Sequence, residues 1–494
     1  MSKAIKSNSV ATIVNEHVKR AEYAVRGLLP TRAAEIKKEL SKNPSAYPFK
    51  EIIELNIGNP QIFNTKTISL TRNYLAKLIM TDSNFAKKHM DRSKVHPSLN
   101  SELQSLDQLV LKMDPRQKSE SSGLEIVRKQ VARFIEKRDL HGCDWRNIVI
   151  TTGASAGIQT IMNLLLQKPG GGIMMSIPQY PLYSATTTIF NSTIVPYYLN
   201  EEDNWNIDMD NLREEYDKAV KNGVDVRTIA VINPGNPTGN VFDREKMIEL
   251  LKFSYERNLV VLADEVYQEN ILGDKPWYSF KKVLRELPTD MAYNIPLISF
   301  HSISKGIFGE CGLRSGYYEL TNIESDVVHN IHKYERGNSP NIAGQIALLI
   351  KSAILASDFE EIKGCKEIMK LTKEEYSEIH EDYKIRAKAC EEIFNGTKGM
   401  KTAPIEGALY AFPRIFLPEK YIQFAKNNNR LPDTQYCLDL LESKGICTVP
   451  GNGFGQKEGT YHFRTTLLYA PNEKFIETCN QMKDFHLNLL EKYS

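Results

Sequence analysis

The stretch LISFHSISKGIFGECGLRSGYYEL, residues 297 to 320, decides the fold of this chain. Its first residues, Leu297 to Phe300, are apolar and predict a strand, and the aromatic run from Ser315 to Leu320 predicts a second strand. Between the two lies a turn of small and hydroxylated residues that contains one lysine, Lys305. The pattern therefore predicts a lysine held at the end of a strand.

A lysine in that position can present a neutral amine to a carbonyl group. Ser302 and Ser304 precede Lys305 and Arg314 follows it, so these three side chains could hold a phosphate beside the amine. An aldehyde cofactor that carries a phosphate requires these groups. Because Ser-x-Ser-Lys is a short pattern, an ordinary surface turn with a solvated lysine is the alternative.

Outward from this stretch, strand patterns and helix patterns alternate over residues 124 to 320. The alternation predicts an α/β protein with a mostly parallel sheet and helices on both of its faces. In such sheets ligands bind at the carboxyl ends of the strands, so functional residues are expected there. The predicted strands are residues 148–151, 172–177, 193–198, 228–232, 259–263, 297–300 and 315–320.

The first predicted strand is followed by Ala154 and Ser155 and then by a helix predicted over Gly157 to Gln167. The free amides and the positive dipole end of such a helix favour a phosphate, and the Ser155 hydroxyl could add a donor. The alternative is that Ser155 is an ordinary helix N-cap.

Other strand ends carry polar and aromatic side chains. The loop from Asn233 to Gly239, which contains Asn236, is rich in Asn, Pro and Gly and is predicted to be a rigid turn. Asp264 and Tyr267 follow the next strand, and a buried acid there needs a partner such as a cationic ring nitrogen. Tyr180 follows a further strand and could stack on a flat heterocycle.

The pattern divides the chain into three parts. Residues 1–60 predict an N-terminal arm and helix that end near Gly58, a glycine that lets the backbone approach a ligand closely. Residues 61–375 are the predicted large domain, and residues 376–494 are a smaller α+β C-terminal domain. Arg464 lies in a predicted strand of the smaller domain, where its guanidinium could clamp a carboxylate or form an inter-domain salt bridge.

Composition excludes several classes of protein. The 494 residues are 41% hydrophobic and 25% charged, as in an ordinary globular protein, and the net charge of +2 predicts no binding to nucleic acid or to an anionic membrane. The seven cysteines are scattered without CxxC spacing, which argues against a zinc site and favours reduced thiols. Apolar runs fall short of the roughly 18 to 20 residues of a membrane span, so the expectation is a cytoplasmic protein.

In this order, the segments GAS, PQYP, NPGNPTG, DEVYQ, SxSK, LRSGY and a late FR resemble the fold-type-I aminotransferases that use pyridoxal 5′-phosphate. Within that superfamily the chain is similar to the alanine aminotransferase family, and the resemblance spans nearly its whole length. The segments that carry the closer resemblance are 22–27, 56–61, 232–239, 263–268, 304–312, 340–345, 407–415, 449–456 and 459–466.

The resemblance implies a role for each candidate residue. It implies that Lys305 binds the cofactor aldehyde covalently and that Asp264 pairs with the pyridinium nitrogen. Asn236 and Tyr267 would donate to the phenolic oxygen of the cofactor, and Tyr180 would stack on its ring. The remaining implied contacts are with the cofactor phosphate for Ala154, Ser155, Ser302, Ser304 and Arg314, and with the substrate for Gly58, Asn236 and Arg464.

The chain departs from the family pattern at Lys118. Relatives carry a tyrosine before Ser-x-Ser-x-Gly that reaches the phosphate from the neighbouring subunit, whereas this chain has Lys118. A lysine can still neutralise phosphate charge, but it lacks the ring. The resemblance also implies a homodimer with shared active sites.

The resemblance further implies reversible amino transfer between L-alanine and 2-oxoglutarate, giving pyruvate and L-glutamate by a ping-pong route. A related class I aminotransferase that uses glyoxylate or another keto acid as acceptor is the nearest alternative. A cofactor-sensing regulator without turnover is a rival of another class, but it would require a basic DNA-binding domain that residues 1–50 do not show.

Overall fold

A computed structural model of the chain describes residues 15–21, 27–63, 65–80, 118–166, 170–356 and 366–494. Residues 22–26, which belong to the segment 22–27 that carries the resemblance, lie outside the described residues. The helices are α1 Glu16–Arg20, α2 Leu28–Lys42, α3 Ser69–Met80, α4 Glu125–Asp139, α5 Ala154–Leu166, α6 Pro181–Ile189, α7 Met209–Lys221, α8 Arg244–Glu256, α9 Phe280–Arg285, α10 Thr289–Ala292, α11 Ser325–Tyr334, α12 Ile342–Ala356, α13 Lys366–Asn395, α14 Glu419–Asn427, α15 Pro432–Lys444 and α16 Asn472–Tyr493. The strands are β1 Ile148–Thr151, β2 Gly171–Ile177, β3 Thr193–Asn200, β4 Asn206–Ile207, β5 Asp225–Ile232, β6 Val260–Asp264, β7 Leu297–Ser302, β8 Gly316–Thr321, β9 Met400–Lys401, β10 Tyr410–Ala411, β11 Arg414–Ile415, β12 Val449–Pro450 and β13 Phe463–Thr466.

The large sheet has eight strands in the order β1-β8-β7-β6-β5-β2-β3-β4. The pairs from β7 through β6, β5 and β2 to β3 are parallel, whereas β8 runs antiparallel to both of its neighbours and β4 runs antiparallel to β3. The predicted mostly parallel sheet is thus confirmed. Strands β1, β7, β6, β5 and β2 therefore have their carboxyl ends at one edge.

The sheet is covered on both faces, as strand β5 shows. Ile229 and Val231 belong to one buried apolar cluster, and Ala230 and Ile232 belong to the other. Successive side chains of a strand point to opposite faces, so a strand buried on both faces must be a continuous apolar run. This requirement explains why the fully buried strands of the large sheet are recognisable in the sequence.

The predicted elements are confirmed with small shifts at their ends. The helix predicted from Gly157 begins at Ala154, because Ala154, Ser155 and Ala156 join its first turn. Ser155 therefore lies inside the helix and is not its N-cap. Strand β4, a two-residue strand paired with β3, was not predicted.

The C-terminal part forms a second, smaller sheet of strands β10, β13 and β12, all antiparallel. The N-terminal segment is attached to this part, since Cys447 N donates to Ile53 O over 2.9 Å and Thr466 N donates to Leu55 O over 3.0 Å. Residues 56–58 are therefore held between the two sheets. Among the described residues, every helix is too short or too polar to span a membrane.

Candidate active site

A cavity of about 970 Å³ lies at the carboxyl edge of the large sheet. Of the residues predicted to form a site, only Lys118 is not part of its lining; Lys118 is exposed on the surface of the chain. The structure therefore brings together side chains that are spread over four hundred positions of sequence. The predicted residues that line the cavity are Gly58, Ala154, Ser155, Tyr180, Asn236, Asp264, Tyr267, Ser302, Ser304, Lys305, Arg314 and Arg464.

Lys305 lies in the turn that follows β7, and its Nζ donates a hydrogen bond to Gly58 O over 2.7 Å. The side chain is partly buried, so the alternative of a solvated surface lysine is wrong. The approach depends on Gly58, because a Cβ built there would lie 3.2 Å from Lys305 Nζ and 2.0 Å from Tyr410 Oη. The amine is thus aimed into the cavity by the backbone of the N-terminal segment.

Asp264 is the last residue of β6 and is fully buried on the wall of the cavity. Tyr183 Oη donates to its Oδ2 over 3.2 Å, and Val266 N donates to its Oδ1 over 3.4 Å. Burial raises the pKa of this carboxyl to about 6, although these two donors and the nearby charge of Lys305 oppose the shift. A cationic group in the cavity would favour the ionised form of Asp264 further.

Hydroxyl, guanidinium and amide donors gather at another part of the cavity, around Arg314. Arg314 Nη1 lies 3.4 Å from Ser304 Oγ, and a Cβ built on Gly153 would lie 2.7 Å from Arg314 Nη2. Gly153 immediately precedes α5, so the guanidinium lies beside the amino end of that helix. Ser302 Oγ accepts from Ser304 N over 2.9 Å and fixes the turn. A guanidinium beside a helix amino end is a suitable place for a phosphate.

Arg464 reaches the cavity from β13 and is fully buried. Its Nη1 donates to Asn236 Oδ1 over 3.1 Å, and its Nη2 donates to Asn56 O over 2.9 Å. No carboxylate among the described residues pairs with it, and its buried Nε has no hydrogen-bond partner there. The alternative of an inter-domain salt bridge is therefore not observed, and the guanidinium is suited to an anionic ligand.

Asn236 and Tyr267 lie side by side, with Asn236 Nδ2 donating to Tyr267 Oη over 3.4 Å. Burial, together with the neighbouring Tyr410, raises the pKa of Tyr267 well above its ordinary value, so this phenol stays protonated. Tyr180 lines the same cavity at the start of α6. The two phenols and the amide provide one aromatic face and two hydrogen-bonding groups.

Several residues of the cavity were missed by sequence reasoning. Tyr410 and Asn56 lie in the segments 407–415 and 56–61, so the signal was present without a reason to choose these side chains. Pro30 and Cys311 also line the cavity and lie in no strand-end pattern.

A buried group of charges supports the turn that carries Lys305. Lys351 Nζ lies 2.6 Å from Glu269 Oε1 and donates to Ser302 O over 3.0 Å. His301 Nε2 lies 3.1 Å from the same carboxylate oxygen, and burial together with Lys351 lowers the pKa of His301 to about 4. Gly306 is needed here, because a Cβ at this position would lie 2.3 Å from Glu269 Oε2.

The donor set fits pyridoxal 5′-phosphate. One cavity is lined by every group that this cofactor needs. These groups are an amine for the aldehyde, an acid for the ring nitrogen, a phenol and an amide for the phenolic oxygen, and a guanidinium for the phosphate. The close approach of Gly58 to Lys305 and of Gly153 to Arg314 leaves no room for side chains at the two places where the cofactor would be anchored.

Fold and site together define a pyridoxal 5′-phosphate-dependent aminotransferase of fold type I. The family model described as aminotransferase class I and II matches residues 97–477. The chain belongs to this family.

Relatives and solved structures agree with this assignment. The chain is 40% identical over 491 residues to a probable mitochondrial alanine aminotransferase of Dictyostelium discoideum, covering 97% of this chain and 89% of the relative. It is also 40% identical over 491 residues to glutamate–glyoxylate aminotransferase 1 of Arabidopsis thaliana, covering 97% of this chain and 96% of the relative. An alanine aminotransferase structure from Pyrococcus furiosus matches with a TM-score of 0.72 at 23% identity, covering 96% of this chain and 99% of that one, and shows the fold.

Proposed function

We propose that this aminotransferase exchanges an amino group between L-alanine and 2-oxoglutarate, giving pyruvate and L-glutamate by a ping-pong route. The observation that carries the proposal is the buried Arg464 guanidinium, which has no carboxylate partner among the described residues and faces the cavity that holds Lys305. All four substrates present an α-carboxylate to such a group. The identity of the substrates is supported by the names of the relatives at about 40% identity.

Bound pyridoxal 5′-phosphate supplies an electron sink for the electrons of the substrate Cα–H bond. Lys305 would hold the cofactor through its side-chain amine and, as the free amine, would move the proton at the substrate α-carbon. Arg464 holds the α-carboxylate so that this proton faces Lys305 Nζ. Asp264, held by Tyr183 Oη and Val266 N, would keep the ring nitrogen of the bound cofactor protonated.

We propose that the remaining predicted residues hold the cofactor in place. Arg314, with Ser304 beside its guanidinium, binds the phosphate together with Ser302 and Ser155. Ala154 contributes its backbone amide, because it is the first residue of α5. Tyr180 stacks on the ring, and Asn236 and Tyr267 bind the phenolic oxygen.

We further propose that the enzyme is a homodimer in which Lys118 reaches the phosphate site of the neighbouring subunit. The exposure of Lys118 on its own chain is compatible with that arrangement. The chain is proposed to consist of an arm of residues 1–60, a cofactor-binding domain of residues 61–375 and a small domain of residues 376–494. Sedimentation at several concentrations tests the dimer.

We also propose a cytoplasmic location. The six cysteines in the described part of the chain are unpaired, as expected in a reducing compartment. The Dictyostelium relative is named mitochondrial, so cell fractionation with compartment markers is the deciding measurement.

A glutamate–glyoxylate aminotransferase is the second candidate, because a relative with that name is equally similar. Purified enzyme loaded with amino groups from L-alanine or L-glutamate should be offered pyruvate, 2-oxoglutarate and glyoxylate in single-turnover assays. The proposal predicts rapid turnover with pyruvate and 2-oxoglutarate. Rapid amination of glyoxylate and 2-oxoglutarate, with slow amination of pyruvate, would identify the second candidate instead.

A further inference from the structure

Tyr410 is a buried residue of the cavity, and it is not among the site residues predicted from the sequence. It is the first residue of β10 and is 2% exposed. Its ring packs edge-on against Tyr267 with the ring centroids 5.9 Å apart, and the Arg464 guanidinium carbon lies 4.2 Å from its ring centroid. The phenol is thus held by groups from two other segments.

The Tyr410 hydroxyl and the Lys305 amine face the same point. A Cβ built on Gly58 would lie 2.0 Å from Tyr410 Oη and 3.2 Å from Lys305 Nζ. Tyr267 Oη donates to Tyr410 Oη over 3.4 Å. The Tyr267 hydroxyl therefore donates to Tyr410 Oη, and the Lys305 amine lies beside it.

The charges around the two phenols act in opposite directions. Burial opposes ionisation of Tyr410, but the positive charges of Lys305 and Arg464, together with the Tyr267 hydrogen bond, lower its pKa. Tyr267 has a raised pKa, because it is buried and faces Tyr410 and Tyr180. The opposite shifts leave Tyr410 as the better proton acceptor of the two phenols.

We propose that Tyr410 is a catalytic residue that accepts a proton from Lys305 and leaves this lysine as the free amine that acts on the substrate. In the step, one N–H bond of the Lys305 ammonium breaks and one O–H bond forms on the Tyr410 phenolate, giving a neutral amine and a neutral phenol. The reverse transfer restores the starting pair. The proposal rests on the proposed function, since it takes Lys305 as the amine that moves the substrate proton.

The first test is ultraviolet difference titration of tyrosinate in full-length protein freed of cofactor. Wild type should show one tyrosine that ionises below the usual value of 10.0, and Tyr410→Phe should lack that component. Tyr436→Phe is the matched control, because the Tyr436 hydroxyl is buried in the small domain and makes no hydrogen bond within the described residues. The titration of Tyr436→Phe should still show the tyrosine that ionises below the usual value.

The second test is the pH dependence of the L-alanine half-reaction in holoenzyme. Tyr410→Phe should be slower than wild type by about 100-fold near neutral pH, the usual scale of a lost proton acceptor. The loss should shrink as the pH rises, because hydroxide then takes the proton. A variant that only disturbs packing would lose rate equally at every pH.

The proposal is overturned if wild type shows no low-pH tyrosinate, if the component persists in Tyr410→Phe, or if that variant keeps the wild-type rate profile. Should Tyr410→Phe fail to fold, Lys305→Ala replaces it in the titration. The pKa of the tyrosine that ionises early should then rise towards the ordinary tyrosine value, because the positive charge of Lys305 is gone. A pKa that stays unchanged contradicts the proposal. Failure of the proposed function would look different, because wild-type holoenzyme would not accept an amino group from L-alanine at all.

Discussion

Replacing Gly58 with alanine would place a methyl group between Tyr410 and Lys305. Its Cβ would lie 2.0 Å from Tyr410 Oη, 3.0 Å from Tyr410 Cζ and 3.2 Å from Lys305 Nζ. Ordinary van der Waals contact begins at 3.4 Å, so the hydroxyl must move by about 1.4 Å, the difference between 3.4 Å and 2.0 Å. Because Tyr410 is buried against Arg464 and Tyr267, its ring cannot swing into solvent, and Lys305 must be displaced with it.

A displacement of about 1 Å at reacting groups costs roughly 100-fold in rate. Overpacking a filled site costs about 1 to 3 kcal/mol of unfolding free energy. We therefore expect Gly58→Ala to lower kcat/KM for L-alanine about 100-fold and to shift the visible absorbance of the bound cofactor. Steady-state kinetics, absorbance spectra and urea unfolding measure the three effects.

Gly142→Ala is the matched control, because a Cβ there meets nothing within 4 Å and the residue has no positive φ. That variant should keep the wild-type rate, spectrum and stability. Normal turnover and a normal spectrum in Gly58→Ala would refute the close approach of residue 58 to Lys305.

Three further substitutions test other parts of the site. Asp264→Asn in cofactor-free protein should remove a pH dependence of unfolding. Because the pKa of Asp264 is raised to about 6, wild type should lose about 3 kcal/mol of unfolding free energy as the pH rises from below about 4 to above about 6. The difference between the two proteins in urea unfolding should follow that window, and no difference would contradict the burial of the acid. Lys351→Met should cost about 3 to 5 kcal/mol in urea unfolding, because it leaves the buried Glu269 without its cation, and a cost below 1 kcal/mol would disprove the ion pair. Arg464→Lys should raise KM for every amino and keto acid substrate while leaving the cofactor spectrum unchanged, and an effect on a single substrate would argue against an α-carboxylate clamp.

The large sheet and most of the site were predictable because of where their residues lie along the chain. A parallel strand buried on both faces is a continuous apolar run, and the chemistry follows immediately where the run stops, as at Asp264 and Lys305. Because these strands are parallel, their ends bring the proposed cofactor-binding residues to one edge of the sheet. For these strand-end residues, the local sequence alone was sufficient to predict that they lie at the site.

Tyr410 shows what local sequence does not contain. It lies about a hundred residues after Lys305 in a two-residue strand of the other sheet, and only the tertiary fold brings it to the amine. Glu269 and Lys351 likewise meet across 82 positions to support the turn that carries Lys305. Such pairs have no sequence period, so they could not be predicted from a periodic pattern.

The most direct test of the central claim is to find which residue carries the cofactor. Purified holoenzyme should be reduced with borohydride, digested and analysed by peptide mass spectrometry. The structure predicts one modified peptide, with the cofactor mass on Lys305 and none in protein treated first with L-alanine. Attachment to another lysine, or no attachment in protein that transaminates, would contradict the account.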